Sequence, residues 1–82
     1  MTTEDIYNVL TEILREVFDD PHVTATPERS AADIPEWDSF NHINIVVATE
    51  MRLGVKFRTS EIEDLRDVGE FVALIERKQL AA

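Results

Sequence analysis

The sequence predicts an all-α fold, a small four-helix bundle with three main helices, one short third helix and a long first loop. Apolar residues recur every three or four positions in three separate segments, as they do along a helix with one buried face. All three prolines of the chain fall between the first two of these segments, where they disfavour a helix. The chain has 82 residues, so we expect a single domain over residues 1–82 with a small hydrophobic core.

The first helix is expected from Thr3 to Asp19. Thr2 and Asp5 have the spacing of an N-terminal capping box, with Asp in place of the more usual Glu, and Pro21 ends the helix. One face of this segment is apolar, and its members are Ile6, Val9, Leu10, Ile13, Leu14, Val17 and Phe18.

A long irregular loop follows from Asp20 to about Glu36, because its prolines suit extended or turn conformations. Ile34 and Trp37 are expected to attach this loop to the body of the protein. The second helix is expected over Ser39–Leu53, or one residue earlier with Asp38 included.

The last two helices are shorter and follow a glycine stop. Gly54 is a natural C-terminal end for the second helix. We expect the short third helix over Ser60–Leu65 and the last helix from Val68 to about Lys78. Capping-box spacing marks the start of both, in the pairs Ser60 with Glu63 and Asp67 with Glu70. The apolar residues that the last helix should bury are Val68, Phe71, Val72 and Ile75.

The second helix carries two apolar faces, whereas packing in a small bundle needs only one. The expected core face consists of His42, Ile45, Val46, Thr49 and Leu53. The surplus face consists of Phe40, Ile43, Val47 and Met51, flanked by Asn44 and Glu50. This second face either lies under the long loop or is an exposed docking surface for a partner protein. If it is a docking surface, charge reversal at Glu50 or the change Val47→Asp should weaken partner turnover and leave the fold intact.

The composition excludes several classes of function. A formal net charge of −9 repels nucleic acids and anionic membranes. It would attract basic patches on other proteins. The alternative is that the acidity only keeps a small domain soluble. The chain has no cysteine and two histidines, so we expect no disulfide and no metal site. No apolar run approaches the roughly 20 residues that cross a bilayer, and the N-terminus does not resemble a signal peptide. We therefore expect a cytoplasmic protein without stable membrane insertion.

The start of the second helix is the candidate functional site. Ser39 stands where free N–H groups and the positive end of the helix dipole favour an attached anion, and Asp38 is the expected cap. A plain Asp-Ser helix start is the alternative, since such starts are common. His42 is expected to be a partly buried structural residue and not the base of a hydrolase triad, because an 82-residue bundle offers no oxyanion pocket. His22 is expected to be exposed in the loop.

The ordered set of these features resembles the acyl carrier protein family over nearly the whole chain. The Asp38-Ser39-Phe40 run opens a helix, and the chain shares the family's length, acidity and long first loop. The other positions that carry the resemblance are Ile43, Ile45, Val46 and Glu50, the segment Gly54-Val55-Lys56-Phe57, and Ile62, Leu65, Val68 and Phe71. The resemblance implies a single acyl carrier domain over residues 1–82.

The resemblance also implies a function and a modification. In the family the serine of the Asp-Ser pair carries 4′-phosphopantetheine, which a separate phosphopantetheinyl transferase takes from coenzyme A, and the position of that serine here is Ser39. The arm holds acyl intermediates as thioesters for partner enzymes of fatty-acid, lipid or polyketide-type biosynthesis. The protein itself would be a non-catalytic monomer. Its partners would be acyl-loading and acyl-consuming enzymes with basic docking patches.

Several positions depart from the family pattern. Phe40 replaces the usual Leu, and Asn41 and Asn44 stand where acidic residues are common, so we expect a specialised, discrete carrier that serves a dedicated pathway. His42 and Thr49 place polar atoms on the core face, which predicts an altered or short interior tunnel for an acyl chain. Two alternatives stay open: a peptidyl or aminoacyl carrier of a nonribosomal-peptide-type pathway, and an unmodified helical adaptor that uses the second face alone.

Overall fold

Among the residues that the structure describes, four helices make up the regular structure, as the sequence predicts. The computed structural model describes residues 1–81, and within that range it contains no β-strand. The helices are α1 (Thr3–Phe18), α2 (Ser39–Leu53), α3 (Thr59–Glu63) and α4 (Val68–Ala81). No helix among the described residues combines the length and the apolarity that crossing a membrane requires.

The predicted N-terminal cap of α1 is present. The Thr2 hydroxyl accepts a hydrogen bond from the backbone N–H of Asp5 at 3.1 Å, and the Asp5 carboxylate accepts one from the Thr2 N–H at 3.1 Å. The hydrogen bond from the Thr2 backbone lowers the pKa of Asp5 below its ordinary value. The helix ends at Phe18, one residue earlier than predicted, because Asp19 adopts a left-handed conformation with φ of 50°.

The core forms where α1 packs against α2 and α4. The long loop also contributes to it: Val23, Ala25 and Ile34 are buried, and Trp37 packs against Phe18 with ring centroids 5.8 Å apart. The predicted attachment of the loop through Ile34 and Trp37 is therefore confirmed. The buried residues that the helices supply are Ile6, Leu10, Ile13, Leu14, Ile45, Val46, Thr49, Val68, Phe71, Val72, Leu74 and Ile75. Leu74 is the member of this set that the sequence pattern did not identify.

The third helix differs from its predicted position. It occupies Thr59–Glu63 and not Ser60–Leu65, and the expected capping pair of Ser60 with Glu63 is wrong. Glu61 instead accepts a hydrogen bond from the Arg58 backbone N–H at 2.8 Å and pairs with the Lys78 ammonium of α4, also at 2.8 Å. These contacts, with the Lys78 hydrogen bond as the larger cause, lower the pKa of Glu61. The helix thus begins one residue earlier and ends two residues earlier than predicted, with the Arg58–Glu61 contact at its start and the Lys78 pair linking it to α4.

The start of α4 agrees with the prediction and its end does not. The Asp67 carboxylate accepts a hydrogen bond from the Glu70 N–H at 2.9 Å, which caps the helix as expected. The Glu70 carboxylate, however, accepts from the Arg66 N–H at 2.7 Å and so does not complete a reciprocal capping box. The helix continues beyond Lys78, because no proline or glycine follows to stop it.

Candidate functional site

Ser39 is the first residue of α2 and is exposed. Asp38 precedes it in an extended conformation, and its carboxylate accepts a hydrogen bond from the Asn41 N–H at 2.8 Å. The side-chain amide of Asn41 in turn donates to the carbonyl of Glu36 at 2.8 Å. The turn that presents Ser39 is therefore held by Asp38 from one side and Asn41 from the other, and the hydroxyl lies at the positive end of a fifteen-residue helix dipole.

His42 lies one turn after Ser39 and has structural partners on both ring nitrogens. Its Nδ1 accepts a hydrogen bond from the indole N–H of Trp37 at 3.2 Å, and its Nε2 lies 3.3 Å from the carbonyl oxygen of Ile62. Both ring nitrogens are therefore engaged in contacts with the rest of the fold. The half-buried ring links the loop, α2 and α3, as expected for a structural histidine, and its engaged nitrogens leave no base directed at Ser39. The other histidine, His22, is exposed as predicted.

An open groove of about 260 Å³ runs beside Ser39. Besides Ser39, its lining residues are Ala31, Trp37, Asp38, His42, Ile62, Glu63 and Leu65. A second, smaller pocket of about 60 Å³ adjoins the groove, and its lining includes Ser30, Arg66 and Asp67 as well as the buried Ile45 and Phe71. The groove gives the Ser39 hydroxyl a largely apolar surface along which an attached group could lie.

The second apolar face of α2 is exposed. Phe40 is 72% exposed, Met51 81%, Ile43 56% and Val47 45%, so the alternative that the long loop covers this face is wrong. Asn44 is exposed on the same side. The loop instead packs against α1, where the Thr11 hydroxyl accepts a hydrogen bond from the Ala25 N–H at 3.0 Å.

Glu50 does not stand free at the edge of this face. It is half-buried, and its carboxylate accepts a hydrogen bond from the Phe57 backbone N–H at 2.9 Å. The expectation that charge reversal at Glu50 leaves the fold intact therefore conflicts with the structure, because such a change removes a contact that holds the segment after α2. The sequence pattern alone does not show this contact, because the chain turns at Gly54 (φ of 68°) between Glu50 and Phe57.

The exposed face of α2 is also nearly uncharged. The first turn of the helix carries no acidic residue, and Arg52 near its end pairs with Glu12 of α1 at 2.9 Å. Asp38 and Glu63 of α3 place exposed carboxylates at the groove beside Ser39. The exposed surface of this face is therefore mainly apolar.

The site fits a phosphate ester on Ser39. An exposed hydroxyl at the start of a long helix can be reached by a modifying enzyme, and the helix N-terminus favours the negative charge that a phosphodiester brings. The Asp38 carboxylate accepts its hydrogen bond from the Asn41 N–H. It therefore holds the turn and leaves the Ser39 hydroxyl available for modification.

Comparisons with known proteins agree on one family. The chain is 33% identical to an acyl carrier protein of Acidothermus cellulolyticus over 82 residues, which cover 100% of this chain and 98% of the relative. It is 38% identical over 76 residues to the meromycolate extension acyl carrier protein of Mycolicibacterium smegmatis, covering 93% of this chain and 77% of that protein. No family model matches the chain.

A solved structure shows the same fold. The solution NMR structure of a holo acyl carrier protein from Geobacter metallireducens superposes with a TM-score of 0.85 and 38% sequence identity, covering 93% of this chain and 87% of that one. The four-helix architecture, the exposed serine that opens α2 and these similarities over nearly the full length lead to one conclusion. The chain belongs to the acyl carrier protein family.

Proposed function

We propose that Ser39 is the attachment site of 4′-phosphopantetheine and that the protein carries acyl groups between partner enzymes. The observation that supports this most directly is the exposure of Ser39 at the capped start of α2. A phosphopantetheinyl transferase would form the bond from the Ser39 oxygen to phosphorus and break the bond from that phosphorus to the adenosine phosphate part of coenzyme A. The hydroxyl proton would pass to the transferase. The thiol of the arm would hold the acyl group as a thioester.

The residues of this chain would have three roles in that process. Ser39 supplies the oxygen, and Asp38 fixes the turn that presents it. The first N–H groups of α2 favour the charge of the phosphodiester. A chain without cysteine offers no thiol of its own, so the thioester chemistry would depend entirely on the attached arm.

The exposed face of α2 is the proposed contact surface for partner enzymes. It consists of Phe40, Ile43, Asn44, Val47 and Met51, with Glu50 at its edge. Partners would include the transferase and the enzymes that load and consume the acyl group. The net charge of −9 would speed their encounter where they carry basic patches.

An acyl cargo is favoured over a peptidyl or aminoacyl one. The two relatives described above and the structural neighbour are all named as acyl carriers, and one is named for meromycolate extension. These names support a place in fatty-acid or lipid-type biosynthesis. The unmodified adaptor would use the same exposed face of α2, and the experiment below separates it from the carrier.

Incubation of the unmodified protein with coenzyme A, magnesium and a broad-specificity transferase tests the proposal. We expect intact mass spectrometry to show the gain of one phosphopantetheine group, and peptide mapping to place it on Ser39. Ser39→Ala should abolish the gain, whereas Ser60→Ala, which changes another exposed serine, should not. No gain in mass under conditions that modify a known carrier protein would contradict the proposal and favour the adaptor.

A further inference from the structure

Lys56 and Arg58 form an exposed pair of cations just beyond the end of α2, called the basic edge below. Residues 51–60 contain three basic side chains and no acidic one, in a chain whose net charge is −9. Burial alternates along this segment: Val55 is buried and Phe57 is half-buried, whereas the two cations are exposed. The alternation places both cationic side chains on the outward side of the segment.

Neither cation of the basic edge forms an ion pair within the described part of the chain. Both ion pairs found there involve other cations, Arg52 and Lys78. The acidic residues nearest in the sequence on either side are engaged elsewhere. Glu50 accepts a hydrogen bond from the Phe57 N–H at 2.9 Å, and Glu61 pairs with the Lys78 ammonium at 2.8 Å. The basic edge therefore presents positive charge that a partner can use.

The basic edge is continuous with the exposed face of α2. The hydrogen bond between Glu50 and the Phe57 N–H holds the segment after Gly54 against the last turn of the helix. Glu50 directly precedes Met51, which is 81% exposed and is the last member of the apolar face. A surface that covers this face thus extends onto the two cations.

The two ends of this combined surface carry opposite charge. At the start of α2, Asp38 and Glu63 place exposed carboxylates beside Ser39, and the basic edge lies at the other end. The fifteen residues of α2 span about 22 Å. A protein interface of ordinary size covers about 800 Å² on each partner, a patch about 30 Å across. A partner that covers Ser39 and the apolar face therefore reaches the basic edge as well.

We propose that the basic edge is a docking contact for an acidic patch on the enzymes that load and consume the acyl group. This inference rests on the proposed function, because it extends the proposed contact surface on α2. The opposite charges at the two ends fix the direction in which such an enzyme lies along the helix, since electrostatic complementarity sets the register of an interface. An enzyme whose docking patch is basic throughout is repelled at this end. A second copy of the chain is disfavoured as the occupant, because two proteins of charge −9 repel each other.

An acyl-consuming enzyme with a docking patch that is basic throughout serves as the probe. Its kcat/KM is measured with the acyl-loaded wild type, with Lys56→Glu and with Arg77→Glu, which changes the net charge equally at an exposed position of α4. We expect Lys56→Glu to raise kcat/KM by about two- to fivefold, the range that exposed charge pairs produce. Arg77→Glu should leave it unchanged. Arg58→Glu should act like Lys56→Glu, and it serves as the test if circular dichroism shows that the latter is unfolded.

Charge reversal on the enzyme completes the test. Each basic residue of its docking patch is changed to Glu in turn, and every enzyme variant is measured with the wild type and with Lys56→Glu. At the enzyme position that faces the basic edge, the new carboxylate should raise kcat/KM with the wild type and lower it with Lys56→Glu. Such a reversal of sign identifies a direct charge contact.

Unchanged or lower turnover with folded Lys56→Glu and Arg58→Glu would overturn the inference. An equal rise with Arg77→Glu would also overturn it, because net charge alone would then explain the effect. The absence of any sign reversal in the enzyme series would do the same. Val47→Asp separates these failures from failure of the proposed function: if it lowers turnover, the contact surface on α2 stands without the basic edge, and if it does not, that surface itself is wrong.

Discussion

Replacing Glu50 by alanine should destabilise the protein, although the residue lies at the edge of an exposed face. Its carboxylate accepts the Phe57 N–H at 2.9 Å, and hydrogen bonds to charged groups contribute about 1.5–3 kcal/mol. Both residues are half-buried, so water replaces part of the lost contact and we expect a cost of about 1–2 kcal/mol. In a domain of this size that corresponds to a decrease in melting temperature of about 5–15 °C.

Thermal unfolding followed by circular dichroism measures this effect, and two variants serve as controls. Glu50→Gln keeps an acceptor oxygen but loses the charge, so it should lose about half as much stability. Asn44→Ala changes an exposed neighbour on the same helix and should stay within about 0.5 kcal/mol of the wild type. A Glu50→Ala protein as stable as the wild type would refute the structural role of the contact, and any loss of partner turnover would then belong to docking alone.

Three further outcomes are expected. Val47→Asp should change the free energy of unfolding by no more than about 0.5 kcal/mol, because the residue is 45% exposed. It should nevertheless lower kcat/KM of the transferase, and unchanged kinetics with every partner would contradict the docking face. Leu14→Ala removes a side chain that is 1% exposed and should cost about 2–5 kcal/mol in urea denaturation; a smaller loss would mean that the core collapses around the gap. The pKa of Glu61 lies below its ordinary 4.5, so its stabilisation is complete above pH 4.5 and is lost as pH falls through the lower folded value. Glu61→Gln should therefore flatten the acid limb of the stability curve, and an unchanged limb would argue against the Lys78 pair.

The sequence predicted the starts of α1 and α2 and the end of α2 correctly, because each depends on a capping residue next to it in the chain. Thr2 with Asp5, Asp38 and Gly54 each act on neighbours in the chain, and the observed starts of α1 and α2 agree with the prediction. The position of α3 could not be predicted in the same way. Arg58 with Glu61 has the same spacing as Ser60 with Glu63, and the folded chain uses the first pair, in which Glu61 also contacts Lys78 of α4.

The sequence likewise predicted one part of the candidate site and not another. The Asp38-Ser39 pair and the period of α2 were sufficient to place the serine at the helix start and to separate the two faces of the helix. The hydrogen bonds that join Trp37, His42 and Ile62 depend on how the loop and α3 pack, and no spacing in the sequence shows them. Periodicity gives the direction of a side chain, whereas the partner of a polar atom is a property of the folded chain.

The charge of the protein and the face of α2 should act at different stages of partner recognition. The net charge of −9 attracts a basic partner over distances set by the Debye length, and salt shortens that length. Added salt should therefore slow the encounter. Close contact would instead involve apolar residues such as Phe40 and Val47, because the Glu50 carboxylate is engaged with the Phe57 N–H. The loss caused by Val47→Asp should therefore persist at high salt, where the association rate of the wild type has already fallen. If salt abolished both effects together, the docking face would have to be ionic, and the exposed apolar residues of α2 would need another explanation.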